Sequence, residues 1–511
     1  MYSMDSNNFD NNLNNNVTPP NPLVGSAPVP EQPVQPARPV EPVISTPPEQ
    51  PVEPPVQPVS VEQPAASERP ASPMEVAMEA AMKEPVAVAE QQLAQAEKPK
   101  KNNKMTMVLV AVMAVLLIAV AAVLVVMNLP KSSGNNNGNQ GGGAVSDDTG
   151  NDTDDKPVEN TELAAGTATT TIGGQTVTYS AAYLVDGISA TIGSGTYESL
   201  ADDQVVFLVI NGGSLTVQGN VNINKTGSAD FAGQGDNYSF YGMNSAIVVV
   251  GEGSSAAING ATITTNASGA NAVVATNGAT VDIQNSSIAT SANGSRGLHA
   301  TYGGAITADT VTIATQGGSS ATLATDRGEG TVTASNMTLL TEGAGSPLIY
   351  STGVITVSSS TGTANGAQIA VVEGKNSITL DGCDFSTNGI GNRNNVDNAA
   401  VMIYQSMSGD ASVGKGSFTA TDSTLTILPS SSVYTTAPFF FVTNTAADIT
   451  LTDVTANFYQ DGYFILASGT AEWGTAGSNG ATVNVSATGL ETTATDLKVG
   501  VDEISSVEGL E

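Results

Sequence analysis

From Ala246 onward the chain repeats itself about every 25 residues, and this period constrains its fold more than any other feature. Written in rows, it reads "AIVVVGEGSSAAINGATITTNASGA" from Ala246 and "NAVVATNGATVDIQNSSIATSANGS" from Asn271. It continues as "RGLHATYGGAITADTVTIATQGGSS" from Arg296, "ATLATDRGEGTVTASNMTLLTEGAG" from Ala321 and "SPLIYSTGVITVSSSTGTANG" from Ser346. The third column is aliphatic: Val248, Val273, Leu298, Leu323 and Leu348. The eighth is glycine: Gly253, Gly278, Gly303, Gly328 and Gly353. Ile263, Ile288 and Ile313 form a further column. After a shorter row Ile369 and Gly374 resume the register, which loosens at Ile403, Phe440 and Ile465.

Within each row, short runs of Val, Ile, Thr and Ala alternate with Gly, Asn and Ser, the pattern of many short strands and almost no helix. A fixed period with several strands per repeat marks a solenoid. Stacked turns would set equivalent residues about 4.8 Å apart. The aliphatic columns then become inward ladders, and the glycine column becomes a corner needing positive φ or close backbone approach. Connections between parallel strands are expected to be right-handed. The expected fold is therefore all-β, a right-handed parallel β-helix over residues 171–511 with an irregular C-terminal end.

The phrases "SRGLHATYGG", "ATLATDRGEG", "SPLIYSTG", "IAVVEGKNS" and "EWGTAGSNG" carry a family resemblance over roughly residues 171–490. The rows resemble the right-handed parallel β-helix of the pectate-lyase-like group, and the phrasing is similar to adhesin-like surface proteins of bacteria. The resemblance implies a fold. It does not choose an activity, because this superfold hosts lyases, hydrolases and pure binders.

The preceding residues divide into three stretches. Residues 1–104 hold 20 of the 25 prolines, all between Pro19 and Pro99. Proline removes a backbone donor and fixes φ, so an extended, disordered tail is expected. Residues 105–129, "MTMVLVAVMAVLLIAVAAVLVVMNL", carry no charge and would span about 37 Å as a helix, enough for a bilayer. Lys98, Lys100, Lys101 and Lys104 precede it, whereas Lys131 alone follows closely. The positive-inside rule then predicts a cytoplasmic tail and an extracellular C-terminal domain, with the apolar stretch as a signal anchor. Residues 130–170 are a Gly/Asn/Asp-rich flexible linker.

Charge narrows the partners. With 16 Lys+Arg against 48 Asp+Glu the net charge is −32, which excludes the basic footprint of a nucleic-acid binder. No cofactor is expected. Calcium would be the natural counter-ion of so acidic a chain, but no motif supports a site for it. The single cysteine, Cys383, excludes an intrachain disulfide and reads as a small core residue.

The rows can also be searched for chemistry. Polysaccharide cleavage needs carboxylates on neighbouring turns, and the sixth, seventh and fourteenth columns stack none on adjacent rows. The expectation is a protein that is not an enzyme. His299, the only histidine, shares its column with Val249, Val274, Ala324, Ile349 and Ala370, so it reads as a packing or surface residue. Trp473 falls where the period has broken down and reads as an end cap. Stretches 388–398 and 404–417 read as loops leaving the coil. The ligand surface expected, if there is one, is the ridge of Tyr302, Asp326, Arg327, Glu329, Glu373, Lys375 and Asn376 beside the glycine corner. An aromatic face with charges and amides suits a sugar. The leading expectation is adhesin-like binding of a glycan or another surface ligand. The alternatives are a polysaccharide lyase or hydrolase, and a structural envelope protein that binds nothing.

Overall fold

The computed structural model describes residues 159–229, 237–388, 399–406, 410–429, 437–469 and 480–510. The Pro-rich tail, the apolar stretch 105–129, most of the linker, residues 389–398 and Trp473 lie outside them. Among the described residues no helix is long and apolar enough to cross a membrane.

These residues coil into a parallel β-helix, as the period predicts. Each turn adds one short strand to a thirteen-stranded front sheet and then runs along a second, wrapped sheet before returning. The second part is one long strand in the middle turns (Ser255–Thr265, Thr280–Thr290, Gly304–Thr315) and two short ones in the first turn (Ser189–Ile192, Gly195–Ser199) and again later (Gly330–Ser335, Thr338–Thr341). The bend falls on a residue with left-handed φ in successive turns: Asn285 (48°), Thr310 (56°), Asn336 (55°) and Ser359 (49°). Asn suits this conformation because its short amide can satisfy the local backbone. Here Asn285 Nδ2 donates to Asn259 Oδ1 of the turn before at 3.0 Å.

Inside the coil, apolar residues stack turn on turn into one continuous core. Its front ladder runs Phe207, Ile247, Val273, Leu298, Leu323, Ile349, Ala370, Val401, Phe440 and Ile465, each the register partner of the next. The column Ile263, Ile288 and Ile313 is also paired as read. All five residues of the predicted aliphatic column are buried, but only Val273, Leu298 and Leu323 lie on one ladder. The turns entering and leaving this stretch are 26 residues long, from Ile247 to Val273 and from Leu323 to Ile349. One extra residue inverts the alternation of a strand, so Ile247 and Ile349 take the inward places assigned to Val248 and Leu348. Val248 instead joins a second apolar layer on the outer face. Cys383 lies in the core, as expected.

The glycine column also divides. Gly253, Gly278, Gly303 and Gly328 have φ between 75° and 82° and make the corner. Gly353 has no positive φ and stacks on Gly330 instead. A Cβ there would stand 2.2 Å from the Gly330 carbonyl oxygen.

An outer layer covers part of the front sheet. β1 (Gly166–Ile172) and β2 (Gln175–Asp186) form the one antiparallel pair of the front sheet among the described residues. Their apolar side chains pack with Tyr241, Val248 and Val274 outside the coil. Regular strand thus begins at Gly166. Beside the hairpin lies a single short helix, α1 (Asn237–Tyr241). It is pinned by side-chain hydrogen bonds that Asn271 Nδ2 and Thr301 Oγ1 donate to the carbonyls of Ser239 and Phe240, at 2.9 and 2.8 Å.

Candidate functional site

The same one-residue slip rearranges the polar residues of the front sheet. Ala324 is paired with Tyr350, and Ser351 with Val372. Carrying these registers forward sets Asp326 beside Thr352, and Thr352 beside Glu373. Glu373 is then the partner of Tyr404. Thr301, Asp326, Thr352, Glu373 and Tyr404 therefore form one outward-pointing column on consecutive turns. The two carboxylates stand two turns apart, about 10 Å between backbones. All five residues are buried.

Asp326 anchors the first half of the column. Arg296 Nη2 donates to its Oδ2 at 3.0 Å, and both side chains are nearly inaccessible. Burial, the largest single influence, raises the Asp326 carboxyl, but the Arg296 charge and the nearby His299 together offset it and the group is lowered to about 2. His299 lies on the same outer face, one register pair from Val274 and Ala324. Its Nε2 stops 3.6 Å from Asp326 Oδ2, outside hydrogen-bond reach, so both ring nitrogens are buried without a partner. Burial and the nearby Arg296 charge lower its pKa to about 4, so the ring is neutral. Reading His299 as a packing residue holds. Its column partners, however, are Val248, Val274, Ala324, Tyr350 and Val371.

Glu373 anchors the second half. Tyr350 and Tyr404 donate their hydroxyls to its Oε2, the latter at 2.9 Å, and Ser406 donates to Oε1. Burial and the Glu373 charge push the Tyr350 hydroxyl well above its ordinary value. Among the described residues Glu373 has no ion-pair partner. Thr352 Oγ1, between the two carboxylates, and Gln405 Oε1, next to Tyr404 in the chain, are buried and unpartnered. Buried polar atoms are nearly always paired, so the orphaned Thr352 Oγ1 in this column departs from a purely structural outer face.

The predicted ridge therefore divides by depth. Tyr302, Arg327, Glu329 and Lys375 reach the surface, whereas Asp326, Glu373 and Asn376 are buried. Asn376 Nδ2 donates to the Glu373 carbonyl at 2.5 Å and shapes the turn. Tyr302 sits at φ 47° with its ring 5.6 Å from that of Tyr241. Only a hydrogen fits at Gly173 in the hairpin turn, where a Cβ would stand 2.6 Å from the Tyr302 ring. Arg327 lies over the Phe240 ring at 4.4 Å, donates to Asn237 Oδ1 at 2.6 Å and pairs with Asp410. Lys375 pairs with Glu329 at 2.8 Å, both about half exposed.

Sequence reasoning missed Arg296, Tyr350, Thr352, Tyr404, Ser406 and Asp410. Arg296 left one signal, as a charge in a column otherwise held by Ala246, Asn271, Ala321 and Ser346. The others were hidden by the slip after Leu323 or sat in what read as loop. Among the described residues no group of His, Cys, Asp and Glu could hold a metal ion.

Fold and site together define a class: a parallel β-helix with a polar column on the outer face of its front sheet. No family model matches the chain, and no curated protein matches it in sequence. Two solved structures are similar in fold. One is the catalytic domain of a GH87 alpha-1,3-glucanase variant in complex with nigerose, at 10% identity and TM-score 0.31. The other is an alginate lyase from Paenibacillus sp. str. FPU-7, at 13% identity and TM-score 0.24. Each match covers 63% of this chain, and they span 63% of the glucanase domain and 93% of the lyase. The expectation that this chain is not an enzyme is corrected. Both similar structures are enzymes by description, and the register sets Asp326 and Glu373 in one column, two turns apart rather than on adjacent turns.

Proposed function

We propose that this chain is an adhesin-like β-helix displayed outside the cell, which engages a glycan through the ridge of Tyr302, Arg327, Glu329 and Lys375 and the polar column beneath it. The observation that carries this reading is the surface at the glycine corner, where the half-buried ring of Tyr302 lies on the turn before Arg327 and is joined by the half-exposed pair Glu329 and Lys375. A hydroxyl-rich ligand meets such groups with both donors and acceptors. Anchoring through residues 105–129, with the Pro-rich tail in the cytoplasm, belongs to the same proposal and rests on the lysine asymmetry. A glycan array probed with the full chain in detergent micelles tests the binding. Binding that disappears in the double variant Tyr302→Ala, Arg327→Ala supports it, and binding that persists refutes the ridge.

A second reading is cleavage of the bound polysaccharide. It is favoured by the shared column of Asp326 and Glu373, since glycoside cleavage uses paired carboxylates. A reducing-sugar assay on any glycan that binds tests it. Release that is abolished by Glu373→Gln supports cleavage, and no release above background refutes it.

A further inference from the structure

The charges of the ridge bear on which glycan it accepts. Among the described residues, every cation in or beneath it is committed to a carboxylate of the same chain: Arg296 to Asp326, Arg327 to Asp410, and Lys375 to Glu329. Arg327 is further fixed by the Phe240 ring and by Asn237. A sugar carboxylate or sulfate arriving here would have to break one of these pairs and leave a carboxylate of the chain uncompensated. For the buried Arg296–Asp326 pair this is strongly unfavourable, and Arg327 is held against the nearly buried Asp410, whereas the half-exposed Lys375–Glu329 pair adds only a small resistance. The surrounding field opposes such an anion too, because the chain carries −32. Among the described residues no group of three or more His, Cys, Asp and Glu stands ready to hold a bridging divalent cation. What the surface itself offers is the half-buried ring of Tyr302, with Thr352 Oγ1 and Gln405 Oε1 buried inside the protein.

From this we propose that the ridge selects uncharged glycans and rejects uronate and sulfated polymers, and that the pairs Arg327–Asp410 and Lys375–Glu329 are the selectivity device. The inference rests on the glycan reading above and specifies its ligand class. Guanidinium and ammonium groups are the usual anion receptors of proteins, and here both kinds are already occupied.

The test uses the full chain in detergent micelles with two probes, a neutral glucan oligosaccharide and an oligogalacturonate, each with calcium and with chelator. The expected result is binding of the neutral probe, changing less than about twofold between low and high salt because no ion pair forms. The oligogalacturonate is expected not to bind in either condition. The double variant Glu329→Gln, Asp410→Asn frees Lys375 and Arg327 and is expected to acquire salt-sensitive oligogalacturonate binding. Native binding of the oligogalacturonate, or no gain in the variant, overturns the selectivity while leaving glycan recognition standing. Binding of neither probe by the native chain overturns the glycan reading as well, so the two failures are distinct.

Discussion

Asp326 and Glu373 share one column of the front sheet with Thr352 between them, yet the two carboxylates are held in opposite ways. Arg296 makes an ion pair with Asp326 at 3.0 Å, whereas Glu373 is held by neutral hydroxyls alone. Removing the charge at each place should therefore have different consequences. Asp326→Asn strands the Arg296 charge in the interior and is expected to cost about 3–5 kcal/mol. Glu373→Gln keeps an acceptor for the tyrosines and is expected to cost about 1–2 kcal/mol. Urea denaturation of both variants checks the order, and equal losses would contradict the contrast.

His299 makes the fold sensitive to mild acid. Its pKa falls from an ordinary 6.5 to about 4. Above pH 6.5 the ring is neutral in both the folded and unfolded chain, and it contributes no pH dependence. Between pH 6.5 and 4 the unfolded chain takes up a proton that the folded chain does not, so stability falls as pH falls, by on the order of 3 kcal/mol. Asp326, lowered to about 2, adds a further loss only below about pH 4. His299→Val restores the aliphatic residue found at Val274 and is expected to remove the first loss and keep the second. Thermal melts from pH 7 to 3 measure both windows.

The front ladder predicts a gradient of sensitivity along the coil. Leu298 is wholly inaccessible in mid-coil, whereas Val499, the partner of Ile465 in the last turn, is 41% exposed. Leu298→Ala should cost about 2–5 kcal/mol through lost burial and the cavity it leaves. Val499→Ala should cost less than about 1 kcal/mol. Comparable losses would mean that the last turn is covered in solution.

Two adjacent glycines should respond in opposite degree. Gly303 has φ 76° and open space where a Cβ would go, so Gly303→Ala carries only the cost of left-handed backbone, about 1–2 kcal/mol. Gly304 has ordinary φ, but a Cβ would stand 2.2 Å from the Ala275 carbonyl oxygen of the turn below. Gly304→Ala must push two turns apart and is expected to be the more damaging. Chemical denaturation of the two variants decides the order.

The topology prediction is independent of the fold. Protease added to intact cells should digest the β-helix and spare the Pro-rich tail. The reverse pattern would overturn the orientation that Lys98, Lys100, Lys101 and Lys104 imply.

By itself the sequence determined the class of fold. A period of 25 with aliphatic and glycine columns has few solutions besides stacked turns, and the ladder Val273, Leu298, Leu323 was legible because turns of equal length keep equal register. Only the tertiary structure decided the site. A turn of 26 residues moves the side chains of its front-sheet strand to the other face, as at Ile349, and no propensity records that single insertion. Arg296, Ser406 and Asp410 reach their partners from outside the strands, where periodicity carries no information. Composition and spacing specify which residues can stack, but a column exists only once backbone hydrogen bonds between turns have fixed which residue lies above which.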